Sequence, residues 1–93
     1  MGENNEVIIT RVTLDVLKPL EVDLEELAFA LAEISGVESV DITVTEVDAR
    51  TATLKVTISG RGISLEDIEE AMKKHSAVIK SVDGLSVAKV GET

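Results

Sequence analysis

Three carboxylates carry the chemistry this chain is best placed to do. Asp15 stands in the β-branched run Val12-Thr13-Leu14-Asp15-Val16-Leu17-Lys18-Pro19, and Glu46 and Asp48 stand in Ile42-Thr43-Val44-Thr45-Glu46-Val47-Asp48. Carboxylate oxygens, with carbonyl oxygens and water, are the ligands that hard cations such as Mg²⁺ and Ca²⁺ take. Two carboxylates about 4 Å apart at an effective dielectric of about 20 repel each other by about 4 kcal/mol, so a shared site demands a cation. A bound divalent ion would meet that demand; so would Lys18 and Arg50, and acids that point apart into water would remove it. The spacing of the three matches no dedicated cation loop such as an EF-hand.

Other reactive groupings are weaker. The chain has no cysteine, which removes a thiol nucleophile, a disulfide and a thiolate zinc site, and suits a reducing compartment. Its one histidine, His75, ends an apolar helical stripe, a place for a packed or capping side chain more than for a ligand. No nucleophile stands beside a base, so the chain is not expected to be an enzyme. Gly60-Arg61-Gly62 reads as a strand-to-helix turn before it reads as an anion loop. The acidic runs Glu25-Glu26 and Glu66-Asp67-Glu69-Glu70 fall in or near the first turns of helices, where the macrodipole favours negative charge.

Composition bounds the partners. Eighteen acidic against nine basic side chains give a net charge of −9 over 93 residues, which repels phosphate backbones and anionic membrane surfaces. Neither nucleic acid nor a membrane is expected as a partner. No apolar run approaches the roughly 20 residues of a membrane span and no signal peptide opens the chain, so a cytoplasmic location is expected.

The elements that position the carboxylates follow from pattern. Residues 1–6 and 91–93 read as polar tails around a single domain over 7–90. The first strand, Val7 to Leu17, turns Ile8, Val12, Leu14 and Val16 to one side and stops at the only proline, Pro19. Asp23 caps a helix whose apolar stripe is Leu24, Leu27, Ala28, Leu31 and Ile34, with Gly36 placed to end it. Val40, Ile42 and Val44 mark a second strand, and Leu54, Val56 and Ile58 a third, joined by a turn over Asp48, Ala49 and Arg50. Ser64 caps a second helix with Leu65, Ile68 and Met72 inward. One strand from about Val78 to Val87 closes the chain, with Gly84 as a bulge in preference to a hairpin at Asp83-Gly84.

A weak internal repeat, Val22-Asp23-Leu24-Glu25-Glu26-Leu27 against Ile63-Ser64-Leu65-Glu66-Asp67-Ile68, divides the chain into two βαβ halves. Right-handed crossovers then give an antiparallel sheet ordered 4-1-3-2 with both helices on one face, the ferredoxin-like βαββαβ sandwich of the α+β class. That topology gathers Asp15, Lys18, Glu21, Asp23, Glu46, Asp48, Arg50 and His75 toward one end and leaves Asp83 toward the other. Phe29, the only aromatic, falls on the outer side of its helix among Glu25, Glu26 and Glu33. It is either one of the scattered exposed apolar residues or an anchor for another subunit.

The runs Leu14 to Pro19, Ile42 to Asp48, Lys55 to Gly60 and Ile79 to Asp83 together resemble an archaeal family of uncharacterised proteins, the domain-of-unknown-function family DUF211, over nearly the whole chain. The resemblance implies a ferredoxin-like fold, ring-shaped homo-oligomers and divalent cations held by acidic side chains, here Asp15, Glu46 and Asp48. It implies no activity. Asp83-Gly84 departs from the acidic or polar pair the resemblance leads one to expect there. The expected function is a non-catalytic, ring-forming domain that binds Mg²⁺ or Ca²⁺. The alternative is a regulatory domain that senses a metabolite between subunits through the loop after the first strand, although Lys18-Pro19-Leu20-Glu21-Val22 lacks the glycine such a loop uses.

Overall fold

A computed structural model describes residues 6–90. In chain order it contains β1 (Glu6–Pro19), α1 (Leu24–Ala32), β2 (Val37–Val47), β3 (Thr51–Gly60), α2 (Leu65–Lys74) and β4 (Val78–Val90). Glu6, expected in a tail, begins β1; the remaining tail expectations, 1–5 and 91–93, lie outside the described residues.

The strands form one sheet in the order β2-β3-β1-β4, which is 4-1-3-2 read from the other edge. β1 is antiparallel to both β3 and β4, and β2 to β3, so β1 runs parallel to β2 as a pair of βαβ halves requires. This α+β arrangement is compatible with a ferredoxin-like fold. The central strands alternate as their sequences direct: Val12, Leu14 and Val16 of β1 and Leu54, Val56 and Ile58 of β3 are fully buried. They meet Leu27 and Leu31 of α1 and Ile68 and Met72 of α2 in one cluster.

Three register breaks shape the β1–β4 ladder. One falls at Thr10 on β1, and Ile9, not the expected Ile8, packs against the core; an extra residue inverts the facing of everything before it. The other two fall at Asp83 and Lys80, so Asp83-Gly84 is a bulge within one continuous β4 and not a turn.

The helix ends show what their sequences can and cannot announce. Asp23 Oδ1 accepts the Glu25 N–H at 3.1 Å, and Ser64 Oγ accepts the Asp67 N–H at 3.2 Å. α1 stops at Ala32, before Gly36. Gly36, at φ +90°, instead brings the chain onto the end of β3: its carbonyl accepts the Arg61 N–H at 2.8 Å, and a Cβ on Gly60 would sit 1.9 Å from its oxygen. α2 ends with Ser76 at φ +58°, its N–H bonded to the Lys73 carbonyl at 3.0 Å while the Ala77 N–H reaches Met72 O at 2.9 Å. That is the Schellman pattern with serine where glycine is usual.

The helices are short for the sheet they cover. Nine and ten residues span roughly 14–15 Å, whereas the thirteen residues of β4 span about 43 Å. β3 leaves β1 at the Arg11–Ser59 pair, and beyond it β1 and β4 continue as a two-stranded ribbon to Glu6–Val90. The described residues extend over 56 × 21 × 17 Å.

Candidate functional site

Asp15 is half-buried on the helix-free face of the sheet, because its neighbours Leu14 and Val16 face the core. Across the ladders it stands opposite Lys55 on β3 and Ser81 on β4. Glu46 comes to the same face by a register break at Thr45, which sets it opposite Thr53. Two inter-strand steps of about 4.8 Å and one two-residue step along the strand separate Glu46 from Asp15, so their Cα atoms lie about 12 Å apart. Asp48 is exposed in the β2–β3 turn, where its Oδ1 accepts the Ala49 N–H at 2.9 Å and its own N–H donates to Thr51 O at 2.8 Å. The three carboxylates thus share one half of the domain without converging. Among the described residues no three His, Cys, Asp or Glu side chains come together as a metal-holding group.

The basic residues are disposed differently from expectation. Lys18 is the only charged side chain buried among the described residues, and it lies on the helix side. Its Nζ donates to the carbonyls of Pro19 at 2.8 Å and Val22 at 2.6 Å, which ties down the loop between β1 and α1 and removes Lys18 as a partner for the carboxylates. Arg50 closes the same end through its backbone: its carbonyl accepts the Leu20 N–H at 3.0 Å. The cation placed opposite Asp15 is Lys55, and a cross-strand pair of opposite charge is worth about 0.2–1 kcal/mol.

Two features escaped the sequence. Asp83 does not lie toward the far end; the bulge sets it beside the Asp15 row, where its Oδ1 accepts Ser81 Oγ at 2.7 Å. A cleft of about 400 Å³ also opens between the helices, lined by Glu33, Asp67, Glu70, Lys74 and His75 among others. His75 Nδ1 lies 3.1 Å from the Ala71 carbonyl, which can only accept, so Nδ1 is the donor. The spacing of Asp67, Glu70, Ala71 and Lys74 at helical intervals was the signal for this second stripe, which faces α1 and not the sheet. Phe29 is exposed, as its helical position required.

In chemical terms the helix-free face offers isolated hard-oxygen ligands on a surface of Thr and Ser side chains. No helix among the described residues is long and apolar enough to cross a membrane.

Comparison with known proteins gives the chain its relatives. It is 36% identical over 81 residues to an uncharacterised protein, MJ0319, of the archaeon Methanocaldococcus jannaschii, an alignment that covers 87% of this chain and 84% of the relative. A family model described as uncharacterised ArCR matches residues 10–91, from the bulge in β1 through β4. The chain therefore belongs to the DUF211 family.

Proposed function

We propose that this chain is a non-catalytic, ferredoxin-like domain of the cytoplasm that assembles with copies of itself into a ring and binds a divalent cation, Mg²⁺ or Ca²⁺, through Asp15, Glu46 and Asp48. Nucleic acid and membranes are not its partners. The observation that supports the reading is the placement of Asp15 and Glu46 on one helix-free sheet face, in the half of the domain that also holds Asp48. A hard cation takes six or more oxygen ligands, so a carboxylate on such a face must be supplemented by water and by another copy. Binding and assembly are then linked, since an ion held between copies stabilises only the assembled form.

Calorimetric titration with Mg²⁺ and with Ca²⁺ tests the ion directly. The expected result is saturable heat that is lost in the Asp15→Asn, Glu46→Gln double variant. An equal heat in that variant would assign the ion elsewhere, and no heat with either ion would refute the cation-binding half of the proposal.

A further inference from the structure

From Val82 to Val87 the helix-side face of β4 is apolar and uncovered. Val82 and Leu85 stand opposite Leu14 and Val12 across the ladder, and Val87 opposite Ile9, yet the three are 53%, 55% and 55% exposed. Val7, on the ribbon beyond, is exposed as well. The opposite edge repeats the feature: on β2, Val44 faces Leu54 and Val47 faces Ala52, both core positions, and both valines are exposed. A contiguous apolar strip on a sheet edge that no helix reaches marks a contact surface.

We propose that the β4 edge of one copy pairs with the β2 edge of a second copy, continuing the sheet from chain to chain. This rests on the assembly proposed above and gives that assembly its interface. Each edge has a regular stretch: the seven residues Gly84–Val90 on β4 and the six residues Ser39–Val44 on β2 contain no extra residue of their own. Joined edge to edge, the two exposed valine and leucine rows become neighbours on the helix side. Charge selects the same pairing. β2 carries Glu38, Asp41 and Glu46 and no base, a sum of −3, whereas β4 carries Lys80, Lys89 and Asp83, a sum of +1. Like edges would set acid against acid or lysine against lysine, so the mixed pair is favoured in a chain of net charge −9. Because the two edges differ, the contact is heterologous: each copy keeps one edge free for the next, and the series closes when the rotation allows.

Two variants test this in the full chain, both with folding checked by circular dichroism. Leu85→Glu with Val87→Glu blocks the β4 edge, and Val44→Glu with Val47→Glu blocks the β2 edge. Each alone is expected at the mass of a single chain, 9.9 kDa, and an equimolar mixture at about twice that, because one good edge of each kind remains. A mixture that stays at single-chain mass, or one variant that assembles as the unmodified chain does, overturns the interface. An unmodified chain of single-chain mass overturns the assembly itself, whereas an unmodified assembly that tolerates both pairs of substitutions overturns the interface alone. Lys80→Glu with Lys89→Glu changes only exposed residues and serves if the glutamate pairs prevent folding; it is expected to weaken assembly at low salt and less so at high salt, and assembly unchanged at both would count against the proposal.

Discussion

Leu14 and Leu85 point to the same side of the same sheet on adjacent strands, yet Leu14 is fully buried and Leu85 is 55% exposed. Nothing in their local patterns separates them. Each alternates with polar neighbours, and each would be read as a core position. The difference comes from the helices, which cover the middle of the sheet and reach β4 at Ile79 but leave Val82 to Val87 exposed. In the covered half, apolar alternation builds a core within one chain; in the uncovered half, the same alternation leaves an exposed apolar strip, which the proposed assembly would cover.

Substitutions can break or sharpen that contrast. Leu14→Ala should cost about 3 kcal/mol or more in chemical denaturation, with both the lost burial and the cavity contributing, whereas Leu85→Ala in dilute, dissociated chains should stay within about 0.5 kcal/mol. Equal costs at the two positions would mean that β4 is covered within the chain. Gly60→Ala, at the border where β3 leaves β1, should cost about 3 kcal/mol by the same measurement, because its Cβ would collide with the Gly36 carbonyl and either strand or turn must shift.

Lys18→Met keeps the length and burial of the side chain on the covered side but strips donors from the Pro19 and Val22 carbonyls. It should cost about 2 kcal/mol, measured as a fall in the denaturant midpoint. Ser76→Gly should act the other way and stabilise by about 1 kcal/mol, seen as a rise in melting temperature, since serine holds the left-handed position that ends α2 at a cost glycine does not bear.

Much of the covered half was legible. The strand alternation at Val12, Leu14, Val16 and at Leu54, Val56, Ile58, the caps at Asp23 and Ser64, and the strand order all follow from patterns with a period and a direction. The departures share one cause. Extra residues at Thr10, Thr45, Lys80 and Asp83 change which side a residue faces, and only the last is announced by a residue type, the adjacent Gly84: Ile9 replaces Ile8 in the core, Glu46 moves to the helix-free face, and Asp83 comes beside the Asp15 row. Charge alone offers Lys18, with Arg50, as one alternative to a metal ion for balancing the carboxylates. The position of Lys18 in the inward row with Val12, Leu14 and Val16 should have directed it to the helix side, where only carbonyls await it. The Schellman end at Ser76 was hidden because serine lacks the glycine signal.

The uncovered half was illegible for a different reason: helix length against strand length decides coverage, and alternation records neither. Asp15 and Glu46 lie on the other, polar face of the same sheet, so joining edges would also bring carboxylates of one copy toward those of the next. The proposed assembly through β2 and β4 and the proposed ion binding on the helix-free face would in this sense both follow from one extended sheet.

The most direct test of that link is the mass of the unmodified chain by light scattering, measured with Mg²⁺ or Ca²⁺ and then with a chelator in excess. A discrete multiple of the single-chain mass is expected with the ion, and a shift toward smaller species once the ion is removed. A single-chain mass under every condition, or an assembly indifferent to chelation, would contradict it.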